Sequence, residues 1–227
     1  MPQPPDLHVV GDPAAEVGRL LAEQARRGGS IVLTGGSTPG VAYERAAALE
    51  PDWSAVTLWW GDERCVPPDD ERSNYRLAKE TLLDRLSAQP REVHRIRGEL
   101  EPADAAAELD KALEGVELDL LLLGLGPDGH VASLFPGSPQ LEVEDRRATT
   151  GPPGLEPLVE RVTMTMPVLR SANRIVFLVS GESKANAVVR AFGGDITPEL
   201  PASLVRRAPV RVEVFLDRPA ASKLGAG

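Results

Sequence analysis

The sequence predicts an α/β fold built on a mainly parallel sheet, and three observations carry that expectation. Short apolar runs recur along the chain, stretches with helical spacing separate them, and one run, LDLLLL at 118–123, does not alternate. A strand with one wet face alternates apolar with polar residues. A run without alternation suits a strand covered on both faces, as in a parallel sheet between helices. Strands and helices taking turns along the chain are the pattern of successive βαβ units.

The apolar runs are residues 7–10, 31–34, 56–60, 118–123, 174–179 and 210–216. Between the first two, residues 14–27 place Val17, Leu20, Leu21 and Ala25 at helical spacing, and similar patterns cover 41–49, 75–86, 103–113 and 183–192. Residues 161–166, RVTMTM, alternate and predict a strand with one polar face. Residues 136–157 carry PGSP, GPPG and EP and are expected to form a surface excursion. A second Gly/Pro-rich stretch, 193–201, leads into 200–207. Neither a repeat nor a low-complexity linker divides the chain, so one domain is expected over 1–227.

Composition narrows the function. The 227 residues suffice for a sizeable core. With 34 acids against 25 bases the net charge is −9, which argues against a general nucleic-acid binder. It also means that an anionic ligand needs a local cluster of cations. The single cysteine, Cys65, excludes an internal disulfide framework and a Cys-rich zinc site. His8, His94 and His130 lie far apart without metal-ligand spacing. The N-terminal MPQPPDLHVV lacks the basic and apolar regions of a signal peptide. No apolar segment approaches the roughly 18–20 residues that span a bilayer. A soluble, cytoplasmic, metal-free protein is expected.

Ligands in open α/β sheets bind at the carboxyl ends of the strands. Four loops that follow apolar runs are unusual. The first is Gly35-Gly36-Ser37-Thr38-Pro39-Gly40. Paired glycines let backbone N–H groups converge on a phosphate, although a simple capped turn gives the same pattern. Val41-Ala42 stands where a P-loop requires Lys-Ser/Thr, so this is no nucleoside triphosphate site. The second loop begins Gly61-Asp62-Glu63-Arg64-Cys65 and continues to Ser73-Asn74-Tyr75. Arg64 is either a fork for phosphate or carboxylate, or part of a solvated loop with a local ion pair. Cys65, without a positioned His–Asn partner, reads as a packing residue.

The third loop, Gly124-Leu125-Gly126-Pro127-Asp128-Gly129-His130, matches G-x-G-x-x-G after a strand. A dinucleotide site is disfavoured because the loop comes late in the chain and only residues 131–135 separate it from Pro136-Gly137, too few for a crossover helix. The nearby acids Glu142, Glu144 and Asp145 follow no second strand. The alternative is a glycine frame that presents Asp128 and His130, where a carboxylate orients an imidazole for proton transfer. A merely hydrogen-bonded loop histidine fits the same residues. The fourth loop is Ser180-Gly181-Glu182-Ser183-Lys184. A lysine in a helix's first turn opposes the dipole, a conflict that an anion at the same place would resolve; an exposed lysine is the plain alternative. Arg161 is a further cation, for the site or for the surface.

The chain closely resembles the 6-phosphogluconolactonases. The matching pieces are LTGGSTPG (33–40), WWGDERCVPPDDERSNY (59–75), LGLGPDGHVASLFPG (123–137), RVTMT (161–165), SGESK (180–184) and PASLV (201–205), in the same order over about residues 7 to 217. The resemblance implies hydrolysis of 6-phospho-D-glucono-1,5-lactone to 6-phosphogluconate in the pentose phosphate pathway. It implies a single Rossmann-like domain, a twisted sheet with helices on both faces, related to the glucosamine-6-phosphate deaminases, with no cofactor and no metal. Carried over, His130 is the general base that activates water and Asp128 orients it. Arg64 and Lys184 hold the phosphate with the Gly35, Gly36 and Ser37 backbone and with Arg161, while Asp62 and Asn74 contact sugar hydroxyls or fix Arg64. The expected partner is the phosphosugar lactone alone, with no nucleic acid or membrane, and the chain is expected to be a monomer.

Two rivals stand beside this reading. A glucosamine-6-phosphate deaminase-type isomerase resembles it through a DGH loop, but uses a glutamate seven positions after the aspartate, where this chain has Phe135. A non-catalytic sugar-phosphate sensor would need a DNA-binding module, and only residues 1–6 precede the first expected strand.

Overall fold

The structure is a computed structural model that describes residues 3–225. Seven strands form one parallel sheet: β1 (Asp6–Val9), β2 (Gly29–Leu33), β3 (Val56–Trp60), β5 (Glu92–His94), β6 (Leu120–Leu123), β9 (Ile175–Val179) and β10 (Val212–Leu216), in the order β1-β10-β9-β6-β2-β3-β5. A smaller antiparallel sheet, in the order β4-β8-β7, joins β4 (Asp62–Arg64), β8 (Arg161–Met164) and β7 (Ala148–Gly151). The helices are α1 (Pro13–Arg27), α2 (Ser37–Leu49), α3 (Asn74–Thr81), α4 (Pro102–Ala112), α5 (Met166–Ser171), α6 (Ala185–Val188) and α7 (Pro201–Val205). The Rossmann-like, mainly parallel architecture expected from the sequence is the one observed.

The local chemistry explains the elements. Helix α1 starts where the Asp12 side chain accepts the Ala15 N–H at 3.0 Å, with Pro13 in the first turn and Glu16 beside the positive end of the dipole. Its face of Val17, Leu21 and Ala25 is buried as the spacing requires. Strands β3, β6 and β9 are buried at every position, so both faces of the sheet's centre are covered. The buried residues of sheet and helices share one continuous core. Among the described residues no helix is long and apolar enough to cross a membrane.

Three segments differ from the expectation. Residues 136–157 are not wholly a surface excursion, because β7 lies inside them with Ala148 and Gly151 buried. Strand β8 keeps its polar face but buries it: Arg161 is 3% and Thr163 0% exposed, with Arg161 Nη2 and Thr163 Oγ1 bonded within the protein. The stretch 183–192 is helical but wound in three ways, as a 3-10 turn at Glu182–Lys184, α6, and a π turn at Val189–Gly193.

The order of strands places the site. The chain leaves β2 through α2 towards β3 on one side, and leaves β6 for β9 on the other. Between the carboxyl ends of β2 and β6 the connections part, which is where a crevice opens in such sheets. Leu121, fully buried at the centre of β6, is bonded in register to both Val32 and Ile175. Leu121→Ala is expected to cost about 2–5 kcal/mol, read as a lower denaturant midpoint with an unchanged slope.

Candidate active site

Strands β9, β6, β2 and β3 are neighbours, so the four loops singled out in the sequence emerge side by side. They surround a cleft of about 530 Å³ lined by Gly35, Gly36, Asp62, Arg64, Asn74, His130, Arg161 and Lys184, together with Leu155, Glu156 and the Gly124–Pro127 backbone. Asp128 stands behind His130 rather than on the wall, and Ser37 lies on the exposed first turn of α2, outside the lining.

His130 is held from one side. Its Nδ1 lies 2.6 Å from Asp128 Oδ1, and its backbone N–H donates to the same oxygen at 3.1 Å. With Nδ1–H given to the carboxylate, the lone pair sits on Nε2. Burial works to raise the Asp128 carboxyl, but the hydrogen bond and charge of His130 prevail and hold it below the ordinary range. Gly126 makes this pair possible: a Cβ there would lie 2.0 Å from His130 Nδ1 and 2.6 Å from Asp128 Oδ1. The Phe135 ring packs 4.7 Å from the imidazole. Beyond His130, Ser133 is tied down twice, its hydroxyl donating to Asp62 Oδ2 at 2.5 Å and its N–H to Thr163 Oγ1 at 3.2 Å. Between them Ala132 lines the cleft at φ +49°, a left-handed conformation uncommon for a residue with a Cβ.

The other end of the cleft gathers cations and uncapped backbone N–H groups. Helix α2 begins at Gly36, which has no side chain to cap it, and no acid occupies the first turn. Its first N–H groups are therefore free for a ligand. Arg64 and Arg161 face each other in register across β4 and β8. Arg64 donates Nη1–H to the Arg72 carbonyl at 2.5 Å, and Arg161 donates Nη2–H to the carbonyls of Leu155 and Pro157 at 2.7 and 3.2 Å. The Nε of each is buried without a hydrogen-bond partner among the described residues. Burial lowers the Arg161 pKa and Arg64 adds to that, against the pull of Asp62. Burial likewise lowers that of the half-buried Lys184, opposed by Asp128. Three crowded cations cost less when an anion lies between them.

Asn74 joins the loops. Its Nδ2–H donates to the Asp62 carbonyl at 2.9 Å, and its side chain lies so close under Gly35 that a Cβ there would be 1.9 Å from Oδ1. Glu63 and Asp62 are buried with backbone and hydroxyl donors, not in a solvated loop with an ion pair. Burial pushes the Glu63 carboxyl up, while the N–H groups of Asn74, Tyr75 and Arg64 and the Ser73 hydroxyl pull it down. Cys65 is only partly exposed and its thiol is pushed up to about 11 by burial and by Glu160 and Glu63, as suits a packing residue.

Sequence reasoning missed Tyr43 and Asp217. The Tyr43 hydroxyl donates to the Thr34 carbonyl at 2.6 Å and accepts the Thr34 N–H at 2.9 Å, fixing the entry to Gly35. Asp217 accepts from the Ser180 hydroxyl, from the Gly181 N–H at 3.0 Å and from the Ala220 N–H at 2.8 Å, and so holds the loop that carries Lys184. Asp217 directly follows β10 and the strand-end rule would have found it; a tyrosine on a helix face carries no such sign. Among the described residues no group of three or more His, Cys, Asp or Glu side chains is arranged to hold a metal ion.

Fold and cleft together define an α/β protein with a histidine–carboxylate pair beside a cluster of three cations. The chain belongs to the family of glucosamine-6-phosphate isomerases/6-phosphogluconolactonase, which it matches over residues 10–214. It is 38% identical to a probable 6-phosphogluconolactonase 1 of Arabidopsis thaliana over 86% of this chain and 81% of the relative. It is 36% identical to a 6-phosphogluconolactonase of Streptomyces coelicolor over 96% and 92%. The 6-phosphogluconolactonase of Trypanosoma brucei superposes with a TM-score of 0.84 at 27% identity, over 97% of this chain and 99% of that one. A monomeric glucosamine-6-phosphate deaminase shares the fold with a TM-score of 0.83 at 21% identity, over 96% and 99%.

Because the Asp128 carboxyl is held low, its pairing contributes stability above the ordinary aspartate value of about 3.9, lost as pH falls through the lowered value. Gly126→Ala is expected to part the pair and return the Asp128 carboxyl towards the ordinary range, followed by carbon NMR titration of the carboxyl group.

Proposed function

We propose that this chain hydrolyses 6-phospho-D-glucono-1,5-lactone to 6-phospho-D-gluconate, with His130 as the general base. The observation that carries the reading is the His130–Asp128 pair, 2.6 Å apart, in one cleft with Arg64, Arg161 and Lys184. The phosphate occupies the Gly35–Gly36 backbone and the cations, and the lactone ring extends towards His130. Nε2 takes a proton from a water molecule as its oxygen attacks the lactone carbonyl. The tetrahedral intermediate then collapses, the ring C–O bond breaks, and the departing ring oxygen takes the proton from the imidazolium. Asp128 favours the charged imidazolium between the two steps. No step calls for a metal ion. Phe135, 7% exposed against the imidazole, supplies no proton-transfer group where a deaminase-type relay needs one.

The direct experiment is hydrolysis of freshly made lactone above its spontaneous rate with excess chelator present. Acceleration supports the reading, and none overturns it in favour of the deaminase assay. His130→Ala is expected to lower kcat by about 10²–10⁴-fold while 6-phosphogluconate still binds. Lys184→Ala and Arg64→Ala are expected instead to raise KM and to weaken product binding by about 10- to 100-fold, in the range of a charged hydrogen bond.

A further inference from the structure

Glu63 is a buried carboxylate that the mechanism above does not use. It is 2% exposed, and every hydrogen bond it accepts comes from the protein: Oε1 takes the N–H groups of Arg64 at 2.7 Å and Asn74 at 2.8 Å, and Oε2 the N–H of Tyr75 at 2.8 Å and the hydroxyl of Ser73 at 3.0 Å. None of the ion pairs among the described residues includes it. Burying a carboxylate without a counter-ion is costly, and capping alone does not explain it. Helix α3 already has a cap, since the Ser73 hydroxyl accepts the Arg76 N–H at 3.1 Å.

What the carboxylate adds to that cap is a link between two elements. Glu63 lies on β4, between the substrate-side residues Asp62 and Arg64, and it grips the first turn of α3. That grip sets Asn74, whose amide holds the Asp62 carbonyl and whose side chain supports Gly35 from beneath. The same carboxylate fixes the backbone of Arg64. We infer that Glu63 is a positioning residue for the phosphate end of the cleft: through Asn74 and the Arg64 backbone it sets the distance between the Gly35–Gly36 N–H groups and the Arg64 guanidinium. This rests on the phosphate placement proposed above.

The test compares Glu63→Gln, Glu63→Asp and Arg64→Ala with the unaltered chain, using 6-phosphogluconolactone, the phosphate-free glucono-1,5-lactone, product binding and Tm. Gln keeps the shape but turns an NH2 group towards N–H donors, and Asp keeps the charge but shortens the reach. Glu63→Gln is expected to raise KM for the phosphorylated lactone and Kd for 6-phosphogluconate about tenfold, with kcat within about threefold and little effect on the phosphate-free lactone. Glu63→Asp is expected to lie between, and serves if Glu63→Gln does not fold. In an Arg64→Ala background the Glu63→Gln effect on KM is expected to shrink below about twofold, as coupled residues require. A lower Tm at unchanged KM, or an equal loss on both lactones, makes Glu63 a structural cap only and overturns the inference. A raised KM in Arg64→Ala beside a normal KM in Glu63→Gln overturns Glu63 alone. A normal KM in both removes the phosphate placement and the inference with it.

Discussion

The cleft exists because the chain leaves β2 and β6 in opposite directions. Their carboxyl ends are neighbours in the sheet, yet one connection runs to β3 and the other to β9. No helix can cover the gap between them, and both loops that border it are glycine-rich. Without side chains, backbone N–H groups and the His130 ring come as near to a ligand as atoms allow. Gly35 gives its room to Asn74, and Gly126 gives its room to His130 and Asp128. The same sheet point thus brings the Gly35–Gly36 backbone and the His130–Asp128 pair together, a few residues from fully buried strands that keep both rigid.

Around that opening the protein spends buried polar groups on joinery. Asp62 receives the Ser133 hydroxyl from the His130 loop on its carboxylate and the Asn74 amide on its carbonyl, and Glu63 receives the start of α3. Each contact crosses between elements that hydrophobic packing alone would leave free to slide. Satisfied networks of this kind are stiff because any shift strands a buried donor or acceptor. The small β4-β8-β7 sheet serves the same end: it brings Arg64 and Arg161 into register, a pairing of like charges that is unfavourable unless an anion lies between them.

The parallel core was plain in the sequence because its central strands are apolar runs, and a run such as 118–123 has no other stable place than between two covering layers. The glycine pairs, the Asp-Gly-His loop and the lysine at a helix start were visible as local oddities, and the observed cleft gathers most of them. Strands β4, β5 and β7 were not legible. The first two are three residues each, DER and EVH, and the third sits among glycines and prolines, so none alternates long enough to declare itself.

By itself, then, the order of residues determined the buried apolar strands at the centre of the parallel sheet, the loops that end them and where glycine removes bulk, for these are matters of a few neighbouring side chains. It could not say that Tyr43 grips Thr34, that Asp217 holds the Ser180 loop, or that Glu63 reaches α3 without a counter-ion. Those bonds join residues 9 to 36 positions apart, and their partners are backbone groups that every residue carries. Only the folded geometry selects among so many equivalent donors, because only there does burial make one unmet hydrogen bond costlier than all the alternatives.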